Sequence, residues 1–157
     1  MAPATPDAAQ ASCIFCRIVR GEAPASVAYE DDRALAFMDI NPLSRGHLLV
    51  IPRMHAADLF ELPDPEAAHL FVVARRMALA LRESHRPDGI SVVQSNGRAA
   101  GQVVFHLHIH LIPRKLEGGG PQVTWRRLHP APSRAELDED ARLIRAAAET
   151  LPPSQFP

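Results

Sequence analysis

Three histidines, His106, His108 and His110, alternate with large apolar residues in the run Val104-Phe105-His106-Leu107-His108-Ile109-His110-Leu111-Ile112. A β-strand turns successive side chains to opposite faces. The spacing therefore predicts a strand over 103–112, with the three imidazoles on one face and Phe105, Leu107, Ile109 and Leu111 on the core side. At about 3.3 Å per residue, the outer two backbones stand roughly 13 Å apart. Zn–N bonds of about 2.0–2.1 Å cannot gather all three rings of a regular strand around one metal. The rings are therefore expected to have different tasks. Imidazole titrates near neutrality and can be nucleophile, acid, base or metal ligand, so a cluster of three points to chemistry.

Cys13 and Cys16 form a second such group, with the close spacing of half a zinc site. The alternatives are two free thiols or a redox pair, and the lack of a preceding strand disfavours the redox pair. Neither the G-x-G-x-x-G nor the G-x-x-x-x-G-K-[ST] phosphate loop occurs, which argues against dinucleotide-dehydrogenase and P-loop readings.

The elements that must position these groups read as one α+β domain with an antiparallel sheet. Cys13 to Arg20 suggests a short helix stopped by a turn at Gly21. Val27–Glu30 and Ala34–Met38 read as strands joined by Asp31-Asp32-Arg33, and His47–Ile51 as an apolar strand stopped by Pro52. Asp64-Pro65-Glu66 predicts a helix start with Asp64 as the cap; Leu70, Val73, Met77 and Leu81 follow at helical spacing. Ile90–Gln94 is a further strand, and residues 117–132, including Gly118-Gly119-Gly120 and Trp125, read as a loop. Ser133-Arg134-Ala135-Glu136 is a capping box opening a last helix to about Thr150. Residues 1–11 are expected to be a disordered tail, 12–150 the single domain and 151–157 a frayed end.

A chain of 157 residues with a net charge of −1 can bury one core and carries no polybasic surface, so neither nucleic acid nor membrane is an expected partner. No transmembrane stretch or export signal is visible. The cytoplasm is the expected compartment, and a structural disulfide is not expected.

The triplet and its two following apolar residues resemble the histidine-triad (HIT) pattern. Further matches follow in the same order along the chain: Cys13-Ile14-Phe15-Cys16, Phe37-Met38-Asp39-Ile40, Gly46-His47-Leu48-Leu49-Val50-Ile51-Pro52 and Gly101-Gln102. The resemblance runs from about Cys13 to Arg114. The uridylyltransferase relatives, with His-Pro-His-Pro-Gln, fit less well.

This resemblance implies a HIT-like α+β fold of about five antiparallel strands with one long central helix and a C-terminal helix. It implies a hydrolase or transferase acting at the α-phosphate of nucleoside 5′-phosphate derivatives, with purine nucleoside phosphoramidates as the expected substrate class. Dinucleoside polyphosphate hydrolysis and a non-catalytic nucleotide sensor are the alternatives. His108 matches the nucleophile that forms a nucleotidyl-histidine, His110 the group beside the leaving group, and His47 a further active-site histidine. Gln102 matches a donor to the phosphate. Asp39 matches the carboxylate that binds the ribose hydroxyls, and Ile14, Phe15, Ile18, Phe37, Ile40 and Leu49 match the apolar wall around the base. Val103 stands where the family often has a hydroxyl residue, which puts leaving-group preference in question. The resemblance also implies a structural zinc held by Cys13, Cys16, His55 and His106, and a homodimer, for which the apolar stripe over residues 66–83 is the only support in the residues themselves.

Overall fold

The computed structural model describes residues 8–117, 120–121 and 124–153. Five strands form one antiparallel sheet: β1 (Val27–Glu30), β2 (Ala34–Met38), β3 (Leu48–Pro52), β4 (Gly89–Gln94) and β5 (Ile109–Arg114), in the order β1-β2-β3-β5-β4. Every residue of β2 and β3 is buried because both faces of the sheet are covered. This explains their nearly unbroken apolar runs. Alternate residues serve different cores. Ala34, Ala36, Met38, Leu48 and Val50 face the two long helices, α3 (Asp64–His85) and α4 (Arg134–Thr150). Leu35, Phe37, Leu49 and Ile51 face the short helix α2 (Ile14–Val19) through Phe15.

The helical stripe Leu70, Val73, Met77 and Leu81 is buried in this chain's own core together with Leu137 and Ile144 of α4. Each such side chain contributes about 1.5–3 kcal/mol by leaving water. The stripe is thus used internally and does not support a dimer. Pro63, not Asp64, holds the N-cap position of α3, and no side chain caps it; Asp64 is the first helical residue. Arg33 of the β1–β2 turn grips this end instead. Its Nε and Nη2 donate to Glu66 at 3.2 and 3.0 Å, and Nη2 also donates to the Pro65 carbonyl at 2.8 Å. The capping box of α4 forms as expected between Ser133 and Glu136.

Other expectations are corrected. Residues Ala8–Ala11, placed in the tail, belong to a short helix, α1 (Ala8–Ser12); residues 1–7 and 154–157 lie outside the described residues. The expected 117–132 loop carries a small hairpin, β6 (Leu116–Glu117) with β7 (Gly120–Pro121); Gly118 and Gly119 lie outside the described residues. His47 precedes its strand rather than opening it.

The largest correction concerns the histidine strand, which begins only at Ile109. His106 and His108 precede it because their would-be neighbour strand runs out: β3 pairs with β5 only from Leu48 to Val50. Beyond that register, the Leu107 N–H donates to the Ala56 carbonyl at 2.7 Å. Leu107, Ile109 and Leu111 still point into the core, but Phe105 is 40% exposed, with the Arg98 guanidinium 5.7 Å from its ring centre.

Candidate functional site

A cavity of about 990 Å³ opens between α2 and the sheet, at the upper end of the range for small-molecule sites. The expected apolar wall lines it: Ile14, Phe15, Ile18, Phe37, Ile40 and Leu49. Asp39, His47, Val103, His108 and His110 line it too. Among these apolar residues Ile14, Ile40 and Val103 are exposed, and Phe15, Phe37 and Leu49 are buried.

The hydrogen bonds settle which nitrogen of each imidazole carries the proton. The Leu43 N–H donates to His47 Nδ1 at 3.1 Å, so the His47 proton sits on Nε2. That nitrogen lies 2.9 Å from His110 Nδ1, which must accept, and His110 therefore presents an Nε2–H. His108 Nδ1 donates to the His106 carbonyl at 2.7 Å, leaving a bare lone pair on Nε2 of a ring that lines the cavity. Such a nitrogen can attack an electrophilic phosphorus while a neighbouring N–H stabilises the departing atom. The His108 and His110 ring centres stand 4.9 Å apart.

Local structure builds this array. Gly46 has a φ of +83°, and a Cβ there would sit 3.0 Å from His85 Cδ2, so the turn before His47 needs glycine. Arg45 anchors the same turn to α4 by donating from Nε and Nη2 to the buried Asp140 at 2.8 and 2.7 Å. Burial alone would raise the Asp140 pKa, but the His85 imidazole, with Nε2 3.3 Å from Oδ1, and the hydrogen bonds from Arg45 hold it at about 2. Asp39 Oδ1 accepts from the Asn41 N–H at 2.8 Å, and Oδ2 lies 3.7 Å from His47 Nε2, beyond a hydrogen bond.

Gln102 is placed differently from expectation. It is buried and its side chain organises the loop. The amide nitrogen donates to the Ala57 and Val104 carbonyls at 2.6 and 3.1 Å, and Oε1 accepts from the Gly97 N–H at 2.7 Å. Both amide hydrogens are thus spent on the backbone, and none is left for a phosphate.

Three lining residues have no warning in the residue pattern: Trp125, Arg127 and Arg134. The first two sit on a segment tied at both ends, by Arg114 Nη1 donating to the Thr124 carbonyl at 2.8 Å and by the Leu128 N–H donating to the Pro42 carbonyl at 2.8 Å. Arg114 also lies over the Trp125 ring. Only tertiary folding brings a segment so distant in sequence to the cavity.

On the other side of the triplet, Cys13, Cys16, His55 and His106 converge, with their ligand atoms all within 4.8 Å of one another. Tetrahedral zinc with Zn–S near 2.3 Å and Zn–N near 2.0–2.1 Å sets N···S edges at about 3.5 Å. Here Nδ1···Sγ distances are 3.2 Å for His55–Cys16, 3.4 Å for His106–Cys16 and 3.6 Å for His106–Cys13. His106 Nε2 donates to the Pro52 carbonyl at 2.9 Å, which leaves Nδ1 as a free lone pair aimed at the sulfurs. In the metal-free chain, burial and the adjacent Cys13 push the Cys16 thiol up to about 11, so it is a cation that would favour the thiolate. The donor set fits a closed tetrahedral metal. Asp39, His47 and His110 also cluster, but the His47–His110 hydrogen bond already occupies the facing nitrogens.

The HIT domain model matches residues 20–117. The chain belongs to the HIT domain family. It is 42% identical over 122 residues to the adenosine 5′-monophosphoramidase HNT1 of Candida albicans, covering 75% of this chain and 80% of the relative. It is 44% identical over 106 residues to the adenylylsulfatase HINT3 of Arabidopsis thaliana, covering 68% of this chain and 54% of the longer relative. A Zn-bound histidine triad family protein from Mycobacterium smegmatis superposes with a TM-score of 0.77 at 42% identity, over 89% of this chain and 95% of that one.

Burial sets the electrostatics of this HIT domain. It lowers His47 to about 4, and with the neighbouring His108 and His47 it lowers His110 to about 4, so both rings are neutral at pH 7. His108 is lowered by the same burial, against the support of its bond to His106. A histidine with a depressed folded pKa stabilises the fold fully above its unfolded value near 6.5 and loses that contribution as the pH falls towards about 4. The melting temperature is therefore expected to be level above pH 7 and to fall steadily between pH 6.5 and 4. His47→Gln and His110→Gln should each make that slope shallower, which separates these rings from metal-ligand protonation. A level melting temperature across this window in wild type would show that the rings are not buried as described.

Proposed function

We propose that this HIT domain is a nucleotide hydrolase that cleaves purine nucleoside 5′-phosphoramidates at the α-phosphorus through a nucleotidyl-His108 intermediate. One observation carries the reading: the hydrogen bond from His108 Nδ1 to the His106 carbonyl leaves a bare Nε2 at the cavity. Attack from this nitrogen needs no base, and the carbonyl stabilises the positive charge that develops on the ring. His110, presenting Nε2–H, supplies the hydrogen bond to the leaving atom, and His47 holds its tautomer. Asp39 Oδ2 is the acceptor for the ribose hydroxyls, and the Phe15, Phe37 and Leu49 wall takes the base. Water then cleaves the nucleotidyl-histidine. The activities named for the Candida albicans and Arabidopsis thaliana relatives support hydrolysis of adenylyl derivatives.

Cys13, Cys16, His55 and His106 hold a structural zinc in this reading, one that would fix the N-terminal segment to the chain entering β5. Four protein ligands leave no open position for catalytic water. A homodimer remains the proposed assembly, on different support from that expected. The outer edge of β4 is unpaired among the described residues, Val92 on it is 52% exposed, and Phe71 of α3 is 47% exposed. No helix among the described residues is long and apolar enough to cross a membrane; the cytoplasm is the proposed compartment.

The test is a comparison of kcat/KM for adenosine phosphoramidate, an adenylyl-lysine-type amide and diadenosine polyphosphates. The amides are expected to turn over at least about tenfold faster than the polyphosphates. The reverse order would favour the dinucleoside polyphosphate reading. Nucleotide binding without turnover of any of them would leave a sensor.

A further inference from the structure

The apolar end of the cavity, formed by Ile14, Phe15, Ile18, Ala23, Pro24 and Ala25, can hold the face of a base but offers no side-chain hydrogen bond. Arg134, the first residue of α4, lines the same cavity. Its Nη1 donates to Ser26 Oγ at 3.1 Å, and the Ser26 hydroxyl in turn donates to Asp138 Oδ1 at 2.5 Å. Ser26 is buried and adjoins Ala25, which packs against the Phe15–Phe37–Leu49 wall. The guanidinium is thus fixed at one nitrogen beside the base end. Among the described residues it has no carboxylate within ion-pair distance, and its Nε and Nη2 have no protein acceptor. The sheet order β1-β2-β3-β5 puts it across the sheet from His108 and His110: Ser26 enters β1, while the histidines lie at β5. A phosphate held at His108 is therefore not its partner.

We propose that Arg134 is a specificity-determining residue that reads the base edge and makes this site prefer 6-oxopurines, guanine and hypoxanthine, over adenine. The inference rests on the nucleotide reading of the cavity. A guanidinium offers only donors, so it requires acceptors. Guanine and hypoxanthine present O6 and N7 side by side, and arginine's planar fork matches the pair. Adenine places an amino donor beside N7 and opposes one arm of the fork.

Calorimetric titration of the whole protein with GMP, IMP and AMP tests this. In wild type, GMP and IMP are expected to bind about tenfold more tightly than AMP, as for one bidentate arginine contact. In Arg134→Ala the ratio should fall to near one. Arg134→Lys, which keeps the charge without the fork, should lose it as well. Arg134 is exposed, so both variants are expected to fold, and melting curves check this. Equal affinities in wild type, or a preference that survives Arg134→Ala or Arg134→Lys, would overturn the inference and leave the nucleotide site standing. Failure of all three nucleotides to bind wild type would overturn both.

Discussion

Replacing His108 with alanine is expected to lower kcat/KM on a phosphoramidate substrate by at least about a thousandfold, since loss of the nucleophile removes the covalent route as a whole. The same substitution should abolish a nucleotidyl-protein trapped by rapid acid quench of wild type with labelled substrate. The variant also removes the donor to the His106 carbonyl, and an unmet buried acceptor costs about 1–3 kcal/mol. Melting curves must therefore accompany the kinetics. His110→Ala offers a second, independent check. It leaves the His108 lone pair in place, so it should slow turnover while the labelled adduct still forms with a good leaving group. An adduct that persists in His108→Ala would place the nucleophile elsewhere and sink the assignment.

The second large effect concerns the metal. Purified protein is expected to carry about one zinc per chain, and Cys16→Ser to carry none. Removing the ion leaves Cys13, Cys16, His55 and His106 converging with nothing to hold them, and burial there disfavours the thiolate. The chain has a substantial core of its own, so the loss should be smaller than the full binding energy of a zinc-dependent peptide fold. A loss of about 3–5 kcal/mol corresponds to a drop of roughly 10–15 °C in melting temperature for a domain of this size. Below the new transition, turnover should persist, because none of Cys13, Cys16, His55 and His106 lines the cavity that holds His108 and His110. Turnover that vanished on chelation while the fold held would assign the zinc a catalytic role.

Much of this was legible from residue types and spacing. The alternation of Leu107, Ile109 and Leu111 with histidines predicts a core-facing row, and these three reach the core while His108 and His110 line the cavity; Phe105, expected on the core side, is exposed. The Ser133–Glu136 capping box predicts the start of α4 because its hydrogen bonds are local. Features that depend on where a neighbour strand ends were not legible. β3 pairs with β5 over three positions only, so His106 and His108 leave the ladder and their ring nitrogens find the Pro52 and His106 carbonyls. The same limit applies to Gln102, whose amide looks available in sequence but is consumed by the Ala57 and Val104 carbonyls.

The sequence by itself pointed to the residues that are candidates for chemistry, because imidazole, thiol and carboxylate at these spacings have few other uses. It also determined the α+β class, because apolar periodicity is a local property. Tertiary structure alone decided the direction of each imidazole. The Leu43 N–H, the His106 carbonyl and the Pro52 carbonyl select the tautomers of His47, His108 and His106, and the His47 bond then selects that of His110. It likewise decided that Trp125, Arg127 and Arg134 meet residues almost a hundred positions away, since no local pattern encodes a contact between distant segments.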